Sequence, residues 1–407
     1  MVKVIAIHFA RLGPYHVARL DSAVQAMGPL GWTVVALETA GSDSTYSWDR
    51  TDAGAAGFTR KTIFPDQVFE NIPSAEIKRG VFNALDQLRP AAMAIAGWGT
   101  VDARACLAWC KKNNALAIVM SETRVADGQR VWWKEWVKSR IVRQFDGALC
   151  GGGSHRNYLV ELGIPKNRIE FGYNIVDNDF FKPSSNNLKT EPYFLSSNRF
   201  ISRKNLVRLI QAYAKYVKSI QASGIRVQGE EGTSIWPLVL LGDGELRGEL
   251  MQHSSELGLT IVEYDEGQDL KRNSYKFKTP ADGGAVVLAG FRQIQELPEF
   301  YARAGAFIHP AMEEPWGLVI NEAMAAGLPV LSSYNVGAAE ELVVDGKTGY
   351  LFDPRNIDEM ANAMSKVAGM TQEEQLTMGR AAFEMVERKA PAKAFGEGLA
   401  KLLMGKL

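Results

Sequence analysis

His309-Pro310-Ala311-Met312-Glu313-Glu314-Pro315-Trp316-Gly317-Leu318-Val319-Ile320-Asn321-Glu322-Ala323-Met324-Ala325-Ala326-Gly327-Leu328-Pro329-Val330 reads as a strand end, an irregular loop, a helix and the start of the next strand. Pro315 and Gly317 suit the loop, Leu318 to Ala326 has helical character, and Gly327 with Pro329 stops it. This order sets a helix N-terminus beside the carboxyl end of a strand. There, N–H groups without helical partners and a partial positive charge face the ligand crevice of an open α/β sheet. A diphosphate fits such a place. Glu314 in the loop and Glu322 about one turn inside the helix supply two carboxylates for separate parts of one ligand, with sugar and ribose hydroxyls as natural partners.

Outward from this stretch the same grammar recurs. Strands are expected at Val2–Phe9, Trp32–Leu37, Ala92–Ala96, Leu116–Met120, Ala148–Cys150 and Ile169–Gly172, with helices at His16–Met27 and from about Val101 and Trp132. A second series follows at Tyr193–Ser197, Leu238–Leu241, Val286–Gly290, Ala306–His309 and Pro329–Ser332, with helices from about Lys204, Glu245, Pro298 and Leu318. The pattern predicts two doubly wound α/β domains. Asn174–Lys189, rich in Asp, Asn, Pro and Ser, is the expected linker. The expected division is residues 1–175, 176–390 and a terminal helix at 391–407 that packs back on the first domain. Ser223–Trp236 and Thr260–Gly284 are polar, rich in glycine and aperiodic, and are expected to be loop insertions.

Bulk properties narrow the class. At 407 residues two cores are expected, and an apolar fraction of 46% supports them. Equal numbers of basic and acidic residues, 46 of each, leave no global field to attract nucleic acid. Apolar runs fall well short of the ~20 residues that cross a bilayer, and no leader sequence is expected at the start. Cys106, Cys110 and Cys150 form no metal-ligand spacing and are expected as buried free thiols in a reducing compartment, the cytoplasm.

The quoted stretch resembles the retaining family-4 glycosyltransferases of the GT-B fold, whose Glu-x7-Glu signature matches Glu314 to Glu322, followed by Ala323-Met324-Ala325 and Gly327-x-Pro329-Val330. The resemblance extends to Arg199-x4-Lys204 after the restarting strand, to Leu240-Leu241-Gly242-Asp243-Gly244 and to Gly290-Phe291-Arg292. It implies a GT-B fold of two Rossmann-like domains facing across a cleft, with Glu314 by the donor sugar and Glu322 by the ribose. Backbone N–H groups at Gly317, Leu318 and Val319 would meet the phosphates, Gly242 would lie near the base, and Arg199 and Lys204 would clamp the leaving diphosphate. The implied reaction is retaining, metal-independent hexosyl transfer without a cofactor. It would run from a nucleotide sugar, UDP-sugar in preference, to a glycan, lipid-linked or small-molecule acceptor in polysaccharide assembly. Peripheral contact with the inner face of a membrane is the one membrane association expected. A nucleotide-sugar epimerase and a non-catalytic nucleotide-sugar-binding protein are the alternatives on this scaffold.

The N-terminal half matches more loosely, through Gly13, His16 and Gly151-Gly152-Gly153-Ser154, and would bind the acceptor. Ser121-Glu122-Thr123-Arg124 stands where many members carry a histidine, so Glu122 becomes the candidate contact there. Ala311 replaces a common serine, and Gly337-Ala338 a common glycine pair. His309 is balanced between a core and a site role, and His16 between capping and site lining. Trp132, Trp133 and Trp136, interleaved with basic residues, are expected to pack in the core with a solvated basic face, an interfacial helix being the alternative.

Overall fold

Short apolar runs, buried in the central strands, alternate with amphipathic helices in both halves of the chain, and that combination stacks parallel strands between helical layers. In the computed structural model the described residues are 3–44, 48–49, 57–183, 192–223, 235–264 and 284–405. They form two units, Met1–Asp177 with Ala390–Leu407, and Asn178–Lys389.

The first unit is built on β1 (Lys3–Phe9), β2 (Trp32–Ser42), β3 (Thr59–Val68), β4 (Ala92–Ala96), β5 (Leu116–Ser121), β6 (Gly147–Cys150) and β7 (Ile169–Phe171). Its helices are α1 (Pro14–Met27), α2 (Ser74–Leu88), α3 (Val101–Asn113), α4 (Trp132–Val142) and α5 (Gly153–Glu161). The strands are all parallel in the order β3-β2-β1-β4-β5-β6-β7. One apolar cluster, with Trp109, Val81, Ile95 and Val119 among its buried members, fills the space under α2 and α3.

In the second unit α6 (Asn178–Phe181) precedes β8 (Phe194–Ser197), α7 (Leu206–Ser223), β9 (Leu238–Leu241), α8 (Arg247–Glu256), β10 (Thr260–Glu263) and β11 (Ala285–Gly290). Then come α9 (Leu297–Arg303), β12 (Ala306–His309), α10 (Leu318–Ala325), β13 (Val330–Ser333), α11 (Gly337–Leu342), β14 (Gly349–Phe352), α12 (Ile357–Ala368) and α13 (Gln372–Lys389). The second parallel sheet runs β10-β11-β9-β8-β12-β13-β14. Strand order reverses at β8 and β12, so the loops leaving those two strands bound the crevice of this sheet. The last helix, α14 (Ala394–Met404), belongs to the first unit, where it packs on α1 and the Gly396 N–H donates to Ser22 Oγ at 2.9 Å.

The expected doubly wound architecture is present, and Ala92–Ala96, Leu238–Leu241 and Ala306–His309 are strands with the expected bounds. Three strands were not anticipated, β3, β10 and β14, and all three lie at sheet edges. β10 corrects the reading of Thr260–Gly284 as a loop. Residues 265–283 and 224–234, which hold most of the two expected insertions, lie outside the described residues. In the expected linker, Asn178–Phe181 is helical.

The tryptophans of α4 also depart from expectation. Trp132 is 80% exposed, Trp133 51% and Trp136 55%, so this helix turns its aromatics outward and its core packing comes from Val142 and the Glu135 side instead. Cys106, Cys110 and Cys150 are buried free thiols, and burial pushes Cys110 up to about 12. No helix of the described residues is long and apolar enough to cross a membrane.

Candidate functional site

The loop after β8 carries Asn198, Arg199 and a single 3-10 turn at Ser202–Lys204. It ends at Asn205, which is left-handed with φ 60°, a conformation that asparagine tolerates better than most residues. The buried Asn205 amide then donates to the carbonyls of Pro310, at 3.0 Å, and Pro354, at 2.7 Å. Met312 N–H donates to the Arg203 carbonyl at 2.9 Å. These bonds lock the loop after β8 to the loop after β12, and the lock brings Lys204 against Glu314.

Lys204 Nζ donates to Glu314 Oε2, forming an ion pair between groups 110 residues apart in sequence, with each side chain only 11% exposed. Burial pushes Glu314's carboxyl up, but the Lys204 ammonium, aided by Arg203, outweighs it and holds the group below the ordinary value. Burial pulls Lys204 down while Glu314 pulls it up. The direct contact makes the pair ionic, with the acid's downward shift the direction that decides its state.

His309 closes the floor. Its Nε2 lies 3.9 Å from Glu314 Oε2, the side chain is fully buried, and neither ring nitrogen has a hydrogen-bond partner among the described residues. Burial, then the nearby Lys204 charge, lowers it to about 3, so the imidazole is neutral at ordinary pH. Sequence reasoning left this residue undecided, and its only signal was a polar residue ending a buried strand.

Gly317 caps α10 with φ 95°, and a Cβ there would come within 3.1 Å of Val336 and 3.3 Å of Glu314 Cγ. Only glycine makes this turn comfortably. The turn aims the first N–H groups of α10, at Leu318 and Val319, out of the helix end, where a helix has no internal acceptors for them. Behind them the carbonyls of Glu314 and Trp316 accept from Gly337 and Ala338, at 3.1 and 2.9 Å. Glu322 is fully buried, with Tyr301 OH donating to its Oε2 at 2.7 Å. Tyr301 lies in a stretch, Tyr301-Ala302-Arg303-Ala304, that resembles the family in sequence, but the sequence reading gives it no role there. Arg199 is half-buried on the β8 loop, and Arg203, beside Lys204, is exposed.

Gly242 follows β9 with φ 135°, and a Cβ there would lie 1.8 Å from the Asn198 carbonyl oxygen. The glycine lets the β9 loop touch the β8 loop, so its role on view is close approach of two backbones at the crevice.

The N-terminal candidates are placed separately, in the first unit. Gly13 caps α1 and donates its N–H to His16 Nδ1 at 2.9 Å, while the His16 ring stacks on Phe9 at 3.9 Å. Burial first, then Arg19 and Arg11, holds His16 well below its ordinary value. His16 thus closes the first turn of α1, and Glu122 is exposed at the end of β5. Sequence reading missed a buried polar cluster nearby. Thr39 Oγ1 donates to Asp102 Oδ2 at 3.0 Å, His8 Nε2 lies 3.2 Å from the same oxygen, and Arg60 pairs with Glu38 at 2.8 Å. Among the described residues no group of three or more His, Cys, Asp or Glu is placed to hold a metal ion.

The family profile for Glycosyl transferases group 1 matches residues 177–385, just over half of the chain and all of this crevice. The chain belongs to that family. An Alpha-1,3/1,6-mannosyltransferase alg-2 of Neurospora crassa is 37% identical over 218 residues, 51% of this chain and 42% of that protein, so the matched region spans less than half of that relative. Among solved structures, Anabaena Alr3699/HepE in complex with UDP aligns over 99% of this chain and 100% of its own at 17% identity, with a TM-score of 0.69. Sucrose-phosphate synthase from Thermosynechococcus elongatus aligns over 99% and 98%, at 17% identity and a TM-score of 0.65. The fold of this family member is GT-B.

Proposed function

We propose that the protein is a retaining glycosyltransferase that moves a sugar from a nucleotide-diphosphate donor, UDP-sugar in preference, to a hydroxyl of a glycan or lipid-linked acceptor. The observation that carries this reading is the Lys204–Glu314 ion pair, held at the strand-order reversal beside the N-terminus of α10. UDP in the Anabaena relative supports the choice of base.

Leaving-group departure puts negative charge on the diphosphate, and prearranged donors lower that barrier. Leu318 and Val319 N–H groups, Arg199 and Lys204 supply them. Glu314, kept ionised by Lys204, accepts from donor-sugar hydroxyls. In this reading Glu322, oriented by Tyr301, accepts from the ribose once the ligand displaces side chains that now cover it. The bond from the anomeric carbon to the phosphate oxygen breaks as the acceptor oxygen bonds to the same face, and the leaving phosphate takes the acceptor proton. The first unit, with Gly13 and Glu122 among its crevice loops, takes the acceptor.

A donor screen by thermal shift tests the proposal. A ligand held at a hundred times its Kd stabilises the folded state by about 2.7 kcal/mol. UDP-sugars are expected to raise the melting temperature, and a protein that neither responds to nor cleaves any nucleotide sugar would sink the reading. Product formed without an acceptor would redirect it to an epimerase.

A further inference from the structure

Helix α4 and Arg143 just beyond it carry four cations, Lys134, Lys138, Arg140 and Arg143, against one carboxylate, Glu135. That carboxylate is turned inward. Tyr158 OH donates to Glu135 Oε2 at 2.6 Å, Lys138 Nζ to Oε1 at 2.8 Å, and Arg130 lies 3.7 Å away. Lys138 and Arg130 also donate to Tyr158 OH, so one side of α4 is fastened to α5 by a closed polar cluster.

The rest of the helix surface exposes Trp132, Trp133, Trp136 and Val137, together with Lys134, Arg140 and Arg143, the last running along Gly163. Arg140 stacks over Trp136 at 4.2 Å and Lys134 lies 5.5 Å from the Trp133 ring, so the cations stand among the aromatics. Beside these side chains lies a groove of about 690 Å³, lined among the described residues by Arg130, Arg140, Arg143, Trp132 and Trp136 and by the carboxylates Glu135 and Glu161. Exposing three tryptophans to water on one helix is costly unless something covers them.

We infer that this face of α4 docks the protein on an anionic phospholipid bilayer, the tryptophans entering the headgroup region while Lys134, Arg140 and Arg143 pair with lipid phosphates. Charge complementarity selects the occupant. Tryptophan and basic side chains on one helix face match the apolar and anionic layers of a bilayer interface. A second copy applying the same face would set like charges against each other, with no outward carboxylate on the helix to answer them. The docking face goes beyond the donor site, and its test needs no nucleotide sugar.

The test is co-sedimentation of the full chain with phosphatidylcholine vesicles, with and without phosphatidylglycerol, alongside tryptophan quenching by brominated lipid. Binding to the phosphatidylglycerol vesicles, weakened by salt and accompanied by quenching, is expected. W132S/W136S and R140E/R143E should each weaken it about tenfold or more, since each basic residue near an anionic surface contributes about 1 kcal/mol. Exposed sites predict unchanged melting for both variants. If a variant fails to fold, quenching of the wild-type protein decides. No binding, unchanged binding by either folded variant, or a dimer that W132S/W136S dissolves without any vesicle binding would each overturn the inference.

Discussion

At the scale of single residues, the Lys204–Glu314 pair sets two expectations. Lys204→Ala removes a cation from the proposed leaving group and leaves Glu314 buried beside a neutral His309. Turnover in a donor-cleavage assay should fall by a factor of about 100 to 1,000, the usual effect of losing one preorganised donor. Stability should fall by about 3 kcal/mol in denaturant titration, with the uncompensated charge as the cause. The histidine gives a pH expectation. Held near 3 in the folded protein against 6.5 when unperturbed, His309 takes up a proton on unfolding anywhere between those values. The unfolded state then binds more protons, so stability rises with pH across that window and is lost as pH falls through it, by roughly 1.4 kcal/mol per pH unit. His309→Gln should flatten this slope in melts from pH 4 to 6.5. An unchanged slope would mean that the ring already carries a proton in the folded state.

Elements explain why these residues meet. β8 and β12 are neighbours in the sheet although 108 residues separate Ser197 from Ala306, and the loops leaving them are stitched together by Asn205 and by the Met312–Arg203 bond. The β9 loop joins through Gly242. Gly242→Ala would drive a methyl group into the Asn198 carbonyl, at a φ that side chains avoid, and backbone cannot yield there as a flexible side chain could. A loss of about 3 kcal/mol or more is expected in denaturant titration, together with weaker donor binding. Conversely, Gly248→Ala, where a Cβ meets nothing within 4 Å inside α8, should leave stability equal or slightly higher. Edge strands show where pattern reading weakens. β3 contains Pro65 and exposed residues 65–67, β10 has no buried position, and β14 has two. A strand covered on fewer sides needs fewer apolar residues, so its signal in sequence is faint.

Across the whole molecule, the two units each carry a core, and the crevice residues Arg199, Lys204, His309, Glu314 and Gly317 all belong to the second. Hydrogen exchange with and without UDP should therefore show added protection concentrated at 198–205 and 314–322. Protection confined to the first unit would contradict the placement of the donor. Sequence by itself determined the alternation of strands and helices, the loop-to-helix turn at Gly317, and the candidacy of Glu314, Glu322, Arg199 and Lys204. The alternation and the turn are local matters of period and turn chemistry, Glu314 and Glu322 stand out by their places beside that turn, and Arg199 and Lys204 by the family resemblance. Tertiary structure alone decided that Lys204 pairs with Glu314, that His309 lies buried beneath them, that Tyr301 holds Glu322, and that the α4 tryptophans face outward. Each depends on which distant segments the sheet order sets side by side, and on which side of a helix the rest of the chain covers. Spacing along one chain carries neither.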